Sequence, residues 1–178
     1  MRVITGKARG RKLREPVGDS IRPTTAMVKE AVFNIVQFDI EGRRVLDLFA
    51  GTGQLGIECL SRGAVSCDFV DSSKAACELI RANLKTTELA GGHVYQSDAV
   101  GFLGRSRSYD LIFLDPPYGF LHLDKIIGAV EEFDILHKSG IMVCETDANT
   151  ILPEVQAPYV KGREYRYGKV KITVYLRA

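Results

Sequence analysis

The sequence predicts an α/β fold, a mostly parallel sheet with helices on both faces, and three observations carry that expectation. From Arg43 onward, short apolar runs alternate with stretches of helical periodicity, the pattern of strands joined by crossover helices. Leu111-Ile112-Phe113-Leu114 is an unbroken apolar run, as expected of a strand buried on both faces, and it stops at Asp115-Pro116-Pro117. Gly51, Gly53 and Gly56 spell G-x-G-x-x-G between a strand pattern and a helix pattern, the context that motif needs.

The elements follow in order. Residues 1–16 read as a basic β-hairpin, because Val3, Ile4 and Thr5 favour a strand and Gly6 and Gly10 allow a turn around Lys7-Ala8-Arg9. Arg22-Pro23-Thr24-Thr25 opens a helix, with a threonine as cap and Val28, Ala31, Val32, Ile35 and Val36 on one apolar face. Core strands are expected over 44–49, 66–71, 93–96, 109–115 and 141–146. Helices are expected over 55–62, 73–89, 99–103 and 123–133. Residues 163–167 and 169–177, joined at Gly168, read as an antiparallel hairpin closing the sheet. The 178 residues fit one domain, 1–40 as a basic extension and 41–178 as the core.

Composition narrows the function classes. With 46% hydrophobic and 26% charged residues, the chain resembles an ordinary soluble globular protein. No run approaches the ~18 apolar residues of a membrane span, and the start lacks the apolar core of a signal peptide. Cytoplasmic residence is therefore expected. Cys59, Cys67, Cys77 and Cys144 form no C-x-x-C pair and have no histidine at zinc spacing, so buried reduced thiols and no metal are expected. The net charge of +2 hides a segregation. Residues 1–14 hold six basic side chains and no acid; residues 161–178 hold six against Glu164 alone. The intervening body is acidic. Such polarity suggests a polyanionic partner, nucleic acid first, with solvated basic tails as the alternative.

Two stretches carry chemistry. Pro116 and Pro117 cannot continue a strand, so Asp115 and Tyr118 are held at its carboxyl end, the edge where ligands bind in open α/β sheets. A carboxylate, proline carbonyls and an aromatic face make a receptacle for a planar group bearing N–H donors; a turn with a capping aspartate is the plainer reading. The glycine loop points to a nucleotide-like cofactor. Asp71, ending the second strand, suits ribose hydroxyls of either NAD or S-adenosylmethionine. Asp47, just before the loop, would repel a pyrophosphate but favour a sulfonium and an α-ammonium group. Asp98 suits an adenine amino group or simply caps the helix at Ala99. Acids at three consecutive strand ends favour S-adenosylmethionine.

Together these residues resemble a known group. Asp47-x-Phe-x-Gly-x-Gly-x-x-Gly resembles the cofactor motif of Rossmann-like methyltransferases, and Asp115-Pro-Pro-Tyr118 is similar to their (Asp/Asn)-Pro-Pro-(Tyr/Phe) motif for exocyclic amino groups. More narrowly, the Arg-Val-Ile-Thr-Gly-x-x-Arg-Gly-Arg start, Arg22-Pro-Thr-Thr25, Asp47-Leu-Phe-Ala-Gly-Thr-Gly and Glu58-x-x-x-Arg62-Gly-Ala64 resemble the RsmD family. Ala26-Met27 and Gln54 depart from that pattern. The resemblance implies a seven-stranded class I methyltransferase sheet, S-adenosylmethionine as cofactor, and methylation of a guanine N2 in 16S ribosomal RNA. It places Asp115, Pro116, Pro117 and Tyr118 at the reacting amine. The cofactor positions are Asp47, Phe49, Ala50, Gly51, Thr52, Gly53, Gly56, Asp71, Ser72, Asp98 and Ala99. The basic residues expected on RNA are Arg2, Lys7, Arg9, Arg11, Lys12, Arg22, Arg166 and Lys169. The expected partner is 16S ribosomal RNA or a 30S particle, met by a monomer.

Rival readings remain at this level. The same motif suits adenine N6 in DNA or a glutamine amide in protein, although the chain leaves no room for a DNA target-recognition domain. An NAD-dependent oxidoreductase would need a proton relay, and His93, His122 and His137 are not placed at strand ends. A non-catalytic RNA-binding module would have no use for an intact Asp115-Pro-Pro-Tyr118.

Overall fold

In the computed structural model, residues 1–16, 26–105, 107–117 and 119–178 are described. Seven strands form one sheet: β1 Arg44–Leu48, β2 Ser66–Asp71, β3 Gly92–Gln96, β4 Tyr109–Leu114, β5 Leu136–Asp147, β6 Tyr159–Tyr167 and β7 Val170–Arg177. Their order is β3-β2-β1-β4-β5-β7-β6. The first five run parallel, while β7 is antiparallel to both of its neighbours. The helices are α1 Ala26–Ile35, α2 Gln54–Ser61, α3 Lys74–Thr87, α4 Ala99–Leu103 and α5 Leu123–Glu132. Chain order reverses between β1 and β4, which makes their carboxyl ends the switch point where an open α/β sheet binds ligands.

The period of two sorts the strands onto two cores. Val45, Phe69, Leu111, Phe113 and Val143 pack with α1, α2 and Ile80 of α3 on one face. Leu46, Leu48, Ile112, Leu114, Met142 and Cys144 pack with Leu103 of α4 and with α5 on the other. All four cysteines are free and buried, as expected.

Three departures from expectation have physical causes. β5 begins five residues early, at Leu136, because a register shift opposite Tyr109 and Leu111 absorbs a polar stretch around Ser139, whose φ is +61°. β6 extends back to Tyr159 because an edge strand needs little apolar content. Phe49 falls outside β1, turned into the left-handed region at φ +69°.

The basic N-terminal arm folds back on itself as the expected hairpin, with a short ladder. Its ladder is a single bridge, Arg2 with Lys12. Val3 N–H donates across the arm to the Arg11 carbonyl, Gly10 N–H to the Val3 carbonyl and Leu13 N–H to the Met1 carbonyl. Four donors go to α2: Ile4 and Thr5 N–H to the Glu58 carboxylate at 2.8 and 2.9 Å, Lys7 N–H to the Ser61 carbonyl, and Ala8 N–H to Ser61 Oγ. A Cβ on Gly6 would lie 1.9 Å from the Ser61 oxygen, so glycine is what lets the arm lie this close.

Candidate active site

The glycine loop is held by carboxylates from the strands beneath it. Asp47, the penultimate residue of β1, is 1% exposed, and its Oδ2 accepts the Gly56 N–H at 2.9 Å near the start of α2. Burial pushes its carboxyl up to about 7; the Gly56 hydrogen bond opposes the rise, and Asp115 and Asp71 add to it. Asp71 at the end of β2 is partly buried, with Oδ2 accepting from Gly51 N–H at 2.9 Å and Oδ1 from Ser73 N–H at 2.8 Å. Each carboxylate oxygen keeps a second lone pair for a ligand hydroxyl. The third glycine is demanded by packing: a Cβ on Gly56 would meet Phe69 at 2.3 Å and the Cys67 sulfur at 2.5 Å. Gly53 turns the chain into α2 at φ +75°.

The loop has a further tether that the sequence did not single out. Asn83, fully buried in α3, donates through Nδ2 to the Thr52 carbonyl at 3.0 Å and to the Arg14 carbonyl, and accepts Arg14 N–H at 2.7 Å. An amide on the apolar face of a helix was the available signal. Ser72 is exposed beside Asp71, Ala50 N–H donates to the Val70 carbonyl, and Ala99 opens α4. Asp98 caps that helix, accepting Gly101 N–H at 2.8 Å from an exposed position. This is the plainer of its two expected roles.

Across the switch point, β4 delivers Asp115, partly buried, followed by Pro116 and Pro117. Phe120 folds back so that its ring meets Phe49 edge-on at 5.1 Å, tying the loop after β4 to the loop after β1. No local pattern points to this pair, since its members stand 71 positions apart in the chain. Tyr118 and Arg22 lie outside the described residues. Glu145 was also missed: Leu114 pairs with Cys144, so Glu145 stands beside Asp115 on β5. Strand alternation puts Asp47, Asp115 and Glu145 on one face of three adjacent strands. The rule that singled out Asp47 and Asp71, an acid closing a parallel strand, applies equally to Glu145.

The basic residues divide between the two edges of the sheet. The turn between β6 and β7, carrying exposed Arg166 and Lys169, lies beside the carboxyl end of β5, on the edge that carries Asp115. Lys7 packs its backbone against the last residue of α2, and Arg11 binds the Thr86 carbonyl and Glu88 at the end of α3. Both line a cleft of about 480 Å³ at the amino-terminal edge, and Arg9 is exposed in the same turn. Arg2 and Lys12 are exposed and paired across the arm's bridge. Among the described residues no cluster of histidine, cysteine and carboxylate side chains is suited to a metal, and no helix is long and apolar enough to cross a membrane.

The strand order, the glycine loop and the acid-Pro-Pro strand end on opposite sides of the switch point define a Rossmann-like methyltransferase fold. The solved Escherichia coli structure of yhhF superposes with a TM-score of 0.89 at 34% identity, over 99% of this chain and 97% of that one. The family model described as "Conserved hypothetical protein 95" matches residues 1–176. Bacillus subtilis (strain 168) YlbH is 42% identical over 180 residues, covering 98% of each chain. The Escherichia coli (strain K12) protein named ribosomal RNA small subunit methyltransferase D is 33% identical over 178 residues, covering 99% of this chain and 90% of its own. The chain belongs to this family, that of ribosomal RNA small subunit methyltransferase D.

Proposed function

We propose that this protein is a single-domain, monomeric, cytoplasmic S-adenosylmethionine-dependent methyltransferase that modifies the exocyclic N2 of a guanine in 16S ribosomal RNA, presented in a 30S particle or its precursor. The observation that carries the reaction class is the junction of the glycine loop and Asp115 across the switch point, with Phe49 and Phe120 closing it. The acids fit the cofactor: Asp47 is held up by burial and by neighbouring carboxylates, an environment that a sulfonium and an ammonium group would relieve. Asp71 and Ser72 would take the ribose, Asp98 and Ala99 the adenine, and the backbone from Phe49 to Gly53 the amino-acid end. When bound, the cofactor supplies an electrophilic methyl group.

The chain's own groups handle the amine. An exocyclic amine is planar, its lone pair drawn into the ring. Asp115 and the Pro116 carbonyl each accept one N–H, so that the lone pair turns toward the methyl carbon and the positive charge that develops is stabilised. Pro117 stiffens this turn, and Tyr118 would stack on a base drawn out of its helix. The RNA assignment is supported by the segregated charge and by the names of the family's members; guanine N2 rests on the family resemblance. Asp115→Ala abolishes transfer while leaving S-adenosylmethionine affinity, measured by titration calorimetry, within a few fold. Retained turnover in that variant contradicts the assignment.

A further inference from the structure

We propose that Glu145 is a positioning residue for Asp115: its carboxyl group, beside Asp115 at the neighbouring strand end and with Oε2 unpartnered among the described residues of the free protein, turns to donate a hydrogen bond to the Asp115 carboxylate when substrate binds and so fixes its orientation. The inference rests on the reading of Asp115 as the amine acceptor.

Four observations converge on Glu145. Register makes it the lateral neighbour of Asp115 on the same face of the sheet. Both line a narrow cleft whose other walls are Val32, Leu55, Phe113, Leu114 and Val143, all apolar. Glu145 Oε2 is buried and has no hydrogen-bond partner among the described residues. Such an atom is costly unless it serves a task. Burial first, and Asp115 second, push the Glu145 carboxyl up to about 8, so at neutral pH it holds a proton to donate. The charged groups on the elements packed against this face are few. Asp115 comes from β4 and Asp47 from β1, while between α1 and α2 Lys29 and Arg62 are both committed to Glu58. On β7, Ile172 faces Glu145, and Lys171 is bound to Glu164. No cation competes for the Glu145 carboxyl among the described residues.

A protonated Glu145 donating to an ionised Asp115 leaves the remaining Asp115 lone pairs as acceptors for the substrate amine. Above about pH 8 the donor is lost and two anions stand side by side.

Single-turnover transfer to 30S subunits, measured against pH, tests this in wild type, Glu145→Gln and Glu145→Ala, with cofactor affinity as the check on folding. Glutamine remains a neutral donor, so Glu145→Gln keeps the wild-type rate at pH 7 and does not share the wild-type decline above about pH 8. Glu145→Ala loses about tenfold or more in kcat, the worth of a hydrogen bond to a charged group, with KM for RNA unchanged. Equal losses in both variants, or wild-type rates and profiles in both, overturn the proposal. Carbon-13 NMR of the side-chain carboxyl gives a second readout. Glu145 should titrate above pH 7 and move down in Asp115→Asn, and titration near the ordinary 4.5 overturns the proposal. Wild-type protein that transfers no methyl group contradicts the functional reading instead, and the NMR titration still decides the state of Glu145.

Discussion

At the residue scale, the site depends on acids kept in places that disfavour their charge. Asp47 is the clearest case, with a carboxyl pushed up to about 7 in the folded chain against 3.8 for a free aspartate side chain. Its raised value means that the folded state binds this proton more tightly than the unfolded state. Its contribution to stability is therefore complete below about pH 4 and is lost as pH rises through about 7. Urea unfolding of the cofactor-free protein should show a midpoint that falls between about pH 5 and pH 7. Asp47→Asn, which keeps an acceptor for Gly56 N–H, should flatten that fall. An unchanged slope contradicts the burial account of Asp47. The sequence made Asp47, Asp71 and the three glycines legible, because acids at strand ends and glycines in a tight turn are local patterns. Asn83 and Glu145 were not legible in the same way. Their importance lies in what the fold brings against them, the Thr52 carbonyl and Asp115.

At the scale of elements, the N-terminal arm, α1 and α2 are joined at one buried carboxylate. Glu58 is fully buried and accepts from Ile4 and Thr5 N–H, from Lys29 Nζ at 3.1 Å and from Arg62 Nε at 3.0 Å. Lys29 is itself 3% exposed, and burial lowers its pKa despite Glu58. Removing Glu58 strands that ammonium and two backbone donors. Glu58→Ala should cost about 3–5 kcal/mol in denaturant unfolding, the usual cost of breaking a buried pair from one side. A loss below about 1 kcal/mol would show the junction to be relaxed by water. Strand and helix positions were legible within a few residues because both periodicities are strong. The arm was read as a β-hairpin because its strand formers and glycines fit one. The structure keeps that path, with Gly10 in its turn at φ +82°, and Gly6 in addition lets the arm lie close to α2.

At the scale of the molecule, charge segregation was plain in the sequence, but its geometry was not. The basic turn of β6 and β7 shares an edge with Asp115, whereas Lys7, Arg9 and Arg11 sit at the opposite edge, with Arg11 tied to Glu88. Removing two phosphate contacts should lower the slope of log affinity against log salt by roughly 1.5–2. Arg166→Ala with Lys169→Ala should produce that change in RNA binding, and Lys7→Ala with Arg9→Ala should leave the slope nearly unaltered. Equal effects from both pairs would mean that RNA wraps the whole arm.

Transfer of a methyl group to guanine N2 of 16S ribosomal RNA leaves its record on the RNA itself. The protein is incubated with methyl-labelled S-adenosylmethionine and unmodified 30S subunits, and the 16S RNA is digested and analysed by mass spectrometry. Label is expected in N2-methylguanosine at a single site, absent with Asp115→Ala; label on another atom or base, or none at all, overturns the proposed function.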